Sequence, residues 1–237
     1  MKRCVIPVSG GIDSSTILYY VKKQRKEFDE IYTLTFDYGQ RHKKEINAAI
    51  DITLGMVTSH RVVNIDFIKQ LYTTSSLTND DIDVAKTQDI LGDPQTVNYV
   101  PNRNTIMLSI CTGYAESVQA DTVFHGAAQV DSEAGYWDGT VEFMEHINNL
   151  NSLNRRDRVT IEAPLIDMSK EKIIQLGMKS GVDYAKTWTC YQGEPAACGR
   201  CPACSSRIKG FIDNKIIDPI DYAIDIPWNK YKCKEVV

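Results

Sequence analysis

The stretch VIPVSGGIDSSTILYYV, residues 5–21, decides how the chain folds. A short apolar run breaks into a polar turn with two glycines, and the chain then resumes with the pattern of an amphipathic helix. This order predicts a buried strand, a tight turn and a helix. Backbone amides at the start of a helix lack partners within the helix and carry partial positive charge. Glycines at that point let phosphate oxygens approach those amides.

Side chains in the same turn also suit a nucleotide. Ser9 and Ser14 offer hydroxyl donors, and Asp13 could cap the helix or hold Mg²⁺ against phosphates. The sequence has neither the lysine of the nucleotide P-loop nor the three spaced glycines of the dinucleotide motif. An ordinary capped turn is the simpler alternative. We expect a phosphate-binding turn for ATP, formed by Ser9, Gly10, Gly11, Ile12, Asp13 and Ser14.

Apolar β-rich runs alternate with helix-like segments along most of the chain. Strands are expected at 4–8, 31–36, 61–65, 122–125 and 158–161, and helices at 14–26, 42–54, 105–118, 140–150 and 170–180. This alternation predicts an α/β fold with a doubly wound parallel sheet, on which ligands bind beyond the carboxyl ends of the strands. The polar segment 73–98 interrupts the order, and its length suggests a functional or partner-facing excursion.

Length, composition and charge favour an enzyme that acts on small molecules. The chain has 237 residues, 43% of them hydrophobic, which is enough for one domain with a small appendage. No apolar run approaches the roughly 20 residues of a membrane span, and no apolar signal core follows the first basic pair, so we expect a cytoplasmic protein that does not contact membranes. A net charge of −4 disfavours direct binding of nucleic acid through a broad basic face.

Four of the seven cysteines crowd into residues 190–204. In a reducing compartment such crowding favours a metal site over disulfides. Two overlapping C-x-x-C steps can close a tetrahedral shell around Zn²⁺ with a structural role, and an iron–sulfur cluster is the alternative. We therefore expect an ATP-binding domain at 1–182 and a zinc-binding region at 183–237, with the ligands Cys190, Cys198, Cys201 and Cys204.

Several further motifs carry a specific resemblance. They are SGGIDS at 9–14, FDYGQRH at 36–42, VPNRN at 100–104, GYWD at 135–138, APL at 163–165, SKE at 169–171 and TWTCY at 187–191. In this order, and over essentially the whole chain, they resemble the 7-cyano-7-deazaguanine synthase family of the PP-loop ATP pyrophosphatases. The resemblance implies an adenine nucleotide α-hydrolase-like fold that converts 7-carboxy-7-deazaguanine, ammonia and ATP to a nitrile. It also implies Mg²⁺, Zn²⁺ and a homodimer.

The resemblance further implies which residues form the site. Asp13, Arg103 and Lys170 fall on positions expected to act in catalysis, with Arg103 as a partner for phosphate or for the substrate carboxylate; a structural ion pair is the alternative for Arg103. Asp131 or Asp138 could instead cap the helix that starts near Thr140. The residues expected to bind the substrate are Tyr38, Gln40, Arg41, His42, Asn104, Asp131, Tyr136 and Asp138.

One loop departs from the family pattern. Where the family usually has Gly-Tyr-Pro-Asp-Cys-Arg, residues 135–140 read GYWDGT, so a larger ring replaces the proline and a basic group is missing. This motivates an alternative enzyme that adenylates the same acid but stops at the amide or transfers the deazapurine to a macromolecule. A tRNA-thiolating relative is disfavoured by the acidic balance, and a non-catalytic zinc-knuckle module is disfavoured by the intact SGGIDS turn.

Overall fold

A parallel sheet forms the centre of the computed structural model, which describes residues 1–89, 96–129, 136–193 and 195–235. The strand order is β3-β2-β1-β4-β5, and each neighbouring pair runs parallel. The strands are β1 Arg3–Pro7, β2 Glu30–Asp37, β3 Ser59–Asn64, β4 Thr122–Phe124 and β5 Thr160–Glu162. The doubly wound parallel sheet predicted from the sequence is confirmed.

Helices connect the strands in the order that the sequence pattern predicts. They are α1 Ile12–Gln24, α2 Lys44–Thr53, α3 Phe67–Leu71, α4 Arg103–Ser117, α5 Val141–Asn151, α6 Lys170–Ser180 and α7 Pro202–Asp213. The short α3 and the C-terminal α7 are absent from the sequence-based prediction. Cysteines and a glycine obscure the pattern of α7, although Pro202 at its first turn is a typical helix start.

Two hydrophobic clusters cover the two faces of the sheet. Alternate residues of β1 point to opposite faces, so Cys4 and Ile6 join the cluster that contains α1 and α6, whereas Val5 joins the cluster that contains α4 and α5. The same alternation separates Phe124 from Val123 in β4. The central strands β1 and β4 are covered on both faces and are almost fully buried, whereas the edge strands β3 and β5 carry polar residues.

The strand order places a crevice between the ends of β1 and β4. The chain leaves β1 toward β2 and β3 on one side, and then crosses back to β4 on the other side of β1. In open α/β sheets this change of direction separates the connecting loops and creates the site for ligands. A Cβ added to Gly126, which follows β4, would lie 3.8 Å from the amide nitrogen of Ser14 in α1. The SGGIDS turn therefore lies at the crevice.

The polar excursion 73–98 folds back onto the C-terminal region, as far as its residues are described. The Ser76 hydroxyl donates to Asn98 Oδ1 at 2.6 Å, and the Thr87 hydroxyl lies 2.7 Å from that of Ser205 in α7. Phe211 of α7 belongs to the same buried cluster as the residues of α1.

The division into domains at residue 182 stays a prediction. Within the described ranges, no helix has the length and apolar character needed to cross a membrane.

Candidate active site

Gly10 gives the turn after β1 a shape that other residues cannot adopt. Its φ of +76° lies in the left-handed region, and an added Cβ would lie 2.7 Å from the Ala49 amide nitrogen in α2. Both the backbone conformation and the close approach of α2 therefore require glycine. The sequence predicted a glycine turn here, and the structure supplies the physical reason for it.

The start of α1 offers backbone amides to a ligand. Gly11 is the N-cap residue, so α1 starts at Ile12, two residues earlier than expected. No side chain caps the helix. Of the two roles considered for Asp13, the cap does not occur, because Asp13 lies within the first turn. The amide of Ser9 donates to Ser14 Oγ at 3.1 Å, which fixes the turn from inside. A glycine cradle beside uncapped helix amides fits phosphate groups.

Asp13 and Lys170 form an ion pair at the edge of this turn. The Lys170 ammonium, at the first position of α6, lies 2.6 and 2.7 Å from the two carboxylate oxygens of Asp13. Both side chains are partly buried, at 14% and 29% exposure. The structure thus brings together two of the three predicted catalytic residues. The pair holds a cation that can face phosphate and a carboxylate that can face a metal ion.

A second polar cluster surrounds Arg103 at the start of α4. Its guanidinium lies 5.6 Å from the centre of the Tyr38 ring, and Nη1 lies 3.5 Å from the Tyr38 hydroxyl. Burial raises the pKa of Tyr38 to about 12, so the phenol stays protonated. Burial lowers the pKa of Arg103, but interactions with the acidic groups of Tyr38, Tyr191, Asp138 and Glu45 raise it above its ordinary value. Arg103 is therefore a permanent cation among polar side chains.

Asp138 and His125 complete this cluster on the side of β4. Burial raises the pKa of Asp138, while Arg103 and a hydrogen bond with the Asn104 side chain lower it. The side chain of Thr140 caps α5, so Asp138 is not needed as the cap. Burial lowers the pKa of His125 to about 4, and its Nε2 has no hydrogen-bond partner in the described part of the chain. No pattern in the sequence distinguishes His125 from an ordinary core or surface histidine.

Glu45 was also missed, and it connects the two halves of the site. It lies in the first turn of α2, where its carboxylate accepts from Gln40 Nε2 at 2.8 Å. Burial raises its pKa to about 7, and Arg103 opposes that shift. An acidic residue in the first turn of a helix is common in any sequence. Only the tertiary packing distinguishes Glu45 from a surface residue.

Other predicted substrate residues lie in different surroundings. Arg41 Nη2 donates to the backbone carbonyls of Asp80 and Ile82 at 2.8 and 2.9 Å, so its guanidinium holds the excursion. The ring of His42 lies against Trp188, with centroids 6.3 Å apart, and that of Tyr136 stacks on Tyr99. Asp131 lies outside the described residues. Substrate contacts for these four residues stay predictions.

The four clustered cysteines form a compact set of ligands. The sulfur atoms of Cys190, Cys198, Cys201 and Cys204 all lie within 4.8 Å of one another. Backbone amides point at them: those of Cys198 and Cys201 donate to Cys190 Sγ and Cys198 Sγ, both at 3.3 Å. Amide donors of this kind stabilise thiolates. The cluster can therefore hold a metal ion.

Trp188 links the cysteine cluster to the phosphate turn. Its backbone amide donates to the carbonyl of Gly10 at 2.9 Å, and its indole Nε1 donates to the carbonyl of Cys190 at 2.9 Å. The Lys44 ammonium lies 4.2 Å from the centre of the indole ring. The TWTCY motif pointed to this segment, but the sequence did not show which residues it contacts.

Arg207 of α7 holds the same segment, residues 187–191, in place through a buried ion pair. Its guanidinium forms two bonds with the Asp218 carboxylate, at 2.6 and 2.8 Å, and a third with the Thr187 hydroxyl at 2.7 Å. Arg207 and Asp218 are almost fully buried. A buried bidentate pair of this kind fixes geometry as well as charge. The sequence offered no sign of it, because the partners are distant elements of the fold.

Comparison with known proteins gives consistent matches over most of the chain. Residues 3–215 match the family model described as "Queuosine biosynthesis protein QueC". "7-Cyano-7-deazaguanine synthase 1" of Colwellia psychrerythraea is 40% identical over 221 residues, which cover 93% of this chain and 99% of that protein. A relative of the same name from Caldicellulosiruptor saccharolyticus is 41% identical over 231 residues, 96% of this chain and 99% of that protein. Among solved structures, the U34-tRNA thiolase NcsA from Methanococcus maripaludis aligns with a TM-score of 0.49 at 15% identity, over 81% of this chain and 63% of that one.

Proposed function

The chain belongs to the QueC family of queuosine biosynthesis proteins, and from this premise we propose that it converts 7-carboxy-7-deazaguanine, ammonia and ATP to 7-cyano-7-deazaguanine. The relatives that match nearly its full length carry the name of that synthase. The chain is accordingly an enzyme of the ligase type. ATP is proposed as the activating substrate, and its adenylyl group as the group that is transferred.

One structural observation supports an adenylating enzyme over a module without catalysis. A glycine turn suited to phosphate and a half-buried cation, Arg103, lie at the same end of the sheet, joined through Glu45. A nucleotide held at Gly10 could thus transfer its adenylyl group to an acid held near Arg103, with release of pyrophosphate. A zinc-knuckle module without catalysis would need neither feature.

The α1 amides, Asp13 and the neighbouring Lys170 have separate tasks in this proposal. The amides at the start of α1 would hold phosphate oxygens, and Lys170 would balance the charge that builds on the α-phosphate during transfer. Asp13 would hold Mg²⁺, which supplies charge neutralisation for the phosphates. Since Lys170 and Asp13 are paired in the structure, ATP and its metal ion would bind by separating two partners that are already in place.

The reaction needs activation because a carboxylate oxygen is a poor leaving group and its charge repels a nucleophile. The substrate carboxylate attacks the α-phosphorus of ATP, and pyrophosphate leaves. Ammonia then adds to the acyl carbon, AMP leaves, and an amide and a proton result. A second ATP adenylates the amide oxygen, and pyrophosphate and one nitrogen-bound proton leave. Loss of AMP and of the second nitrogen-bound proton then leaves the nitrile. Placement and charge stabilisation by the protein are sufficient for these steps, and no residue has to form a covalent bond.

We propose Zn²⁺ as the ion of the cysteine cluster, with residues 183–237 as the region it organises. Four thiolates around one zinc ion at about 2.3 Å place the sulfurs about 3.8 Å apart, and Cys198 Sγ and Cys204 Sγ are 3.9 Å apart. An iron–sulfur cluster spreads its ligands over several irons and needs wider spacing. With all four positions filled by cysteine, the ion has a structural role. Homodimerisation stays part of the proposal, and sedimentation of the purified protein tests it.

Analysis of products tests the proposed function. The purified protein is incubated with 7-carboxy-7-deazaguanine, ammonium, MgCl₂ and either ATP or no nucleotide, and products are identified by mass spectrometry. We expect the nitrile only with ATP. Accumulation of the amide without nitrile would favour the enzyme that stops at the first stage, and no product in either sample would contradict the proposal. Metal analysis of the same sample tests the zinc assignment.

A further inference from the structure

Glu45 is the residue at which the phosphate turn, the loop after β2 and the Arg103 cluster meet. Its carbonyl oxygen lies against Gly10, where an added Cβ would overlap it. Its carboxylate accepts from Gln40 Nε2 at 2.8 Å, and Gln40 in turn accepts from the amide of Tyr38 at 2.8 Å. Its charge also interacts with the guanidinium of Arg103. Glu45 thus contacts the phosphate turn through its backbone and the Gln40 loop through its carboxylate, and the charge of that carboxylate acts on Arg103.

We propose that Glu45 is a positioning residue that, as a carboxylate, holds the Gln40 loop and Arg103 in register with the phosphate turn. This inference rests on the proposed function, since it assigns a task within the same site. Gln40 Nε2 also donates to the carbonyl of Phe36 at 3.1 Å, so the amide is oriented from two sides. Without the negative charge, the hydrogen bond from Gln40 would weaken to one between neutral groups, and Arg103 would lose an opposing charge.

The surroundings of Glu45 make its charge dependent on pH near neutrality. Burial raises the pKa of Glu45, Arg103 and Gln40 lower it, and Asp37 raises it. The net result is a pKa of about 7. The charged and titratable groups that face it are Arg103 of α4, Asp37 of β2 and the phenol of Tyr38. The carboxylate form therefore predominates above about pH 7, and the positioning function should be lost as the pH falls below that value.

Glu45→Gln removes the charge and keeps the size of the side chain. In the wild-type protein we expect kcat/KM for the acid to rise as the pH rises through about 7. In Glu45→Gln this rise disappears, and kcat/KM above pH 8 falls by about 10- to 100-fold, as expected when reacting groups are misplaced. Glu142→Gln is the matched control, because Glu142 is also a first-turn glutamate but its side chain is 85% exposed. That variant should keep the wild-type profile.

A double-mutant cycle separates positioning from a merely structural effect. If Glu45 acts through Arg103, Glu45→Gln has a much smaller effect on kcat/KM in an Arg103→Gln background than in the wild type. Additive effects of the two changes would overturn the proposal. So would a Glu45→Gln protein that keeps the wild-type kcat/KM and the wild-type dependence on pH.

Unfolding measurements keep the test independent of the proposed reaction. The folded protein binds the Glu45 proton more tightly than the unfolded chain, so wild-type stability should fall relative to Glu45→Gln as the pH rises from about 5 to 8. If the wild type forms no product from the acid, the proposed function fails, while this comparison still tests Glu45. Parallel stability curves for the two proteins would then overturn the inference.

Discussion

At the scale of single residues, Gly10 is the position on which nucleotide binding depends most. Gly10→Ala adds a Cβ that meets α2 and forces alanine into a left-handed backbone. We expect Kd for Mg-ATP to rise at least about tenfold, or about 1.4 kcal/mol, by calorimetry. Gly55→Ala is the control, since Gly55 has a φ of +70° but nothing within 4 Å of an added Cβ. It should lose about 1 kcal/mol of stability and bind ATP normally; equal affinity of both variants would contradict this reading of the turn.

Residues differ in how far the sequence could reveal them. Gly10 and the clustered cysteines belong to local patterns whose chemistry can be read from spacing alone. Glu45, His125 and Arg207 take their properties from contacts with distant segments, as the raised pKa of Glu45 and the lowered pKa of His125 show. Asp13 lies in the first turn of α1, and of its two possible roles the cap is excluded because Gly11 takes that position.

At the scale of elements, the cysteine cluster supports the phosphate turn through Trp188. Because Trp188 bonds both to Gly10 and to Cys190, removal of the metal ion should loosen the turn. We expect weaker Mg-ATP binding after chelation and recovery when Zn²⁺ is returned, as measured by calorimetry. Cys233→Ala is the control, since Cys233 lies outside the cluster, and it should keep both the metal and the affinity. Unchanged affinity in folded, metal-free protein would refute this coupling.

The anchor of α7 is the second prediction at this scale. Asp218→Asn leaves the buried guanidinium of Arg207 without its counter-charge, and we expect a loss of about 3–5 kcal/mol in the free energy of unfolding. The exposed pair of Lys209 and Asp213 provides the control. Asp213→Asn should cost less than about 1 kcal/mol. Denaturant titration measures both, and similar losses would show that the buried pair is not an anchor.

At the scale of the whole molecule, strand and helix order was predictable and the arrangement around the site was not. The runs at 4–8 and 31–36 correspond to β1 and β2, because buried parallel strands are nearly continuous apolar segments. The strand order of the sheet, which brings the end of β4 beside the phosphate turn, follows from long-range pairing. The excursion 73–98 was expected to have a functional role or to face a partner. Its described residues contact Arg41 and α7 of the same chain, and both of those roles stay predictions.

The number of AMP molecules released per nitrile tests the central claim most directly, namely that one turn transfers adenylate to the acid and then to the amide. The purified protein is supplied with 7-carboxy-7-deazaguanine, ¹⁵N-ammonium and Mg-ATP, and nucleotides and deazapurines are quantified together by liquid chromatography and mass spectrometry. The account predicts two AMP and two pyrophosphate for each nitrile, which carries one ¹⁵N. Release of ADP and phosphate, or nitrile formation without AMP, would contradict it.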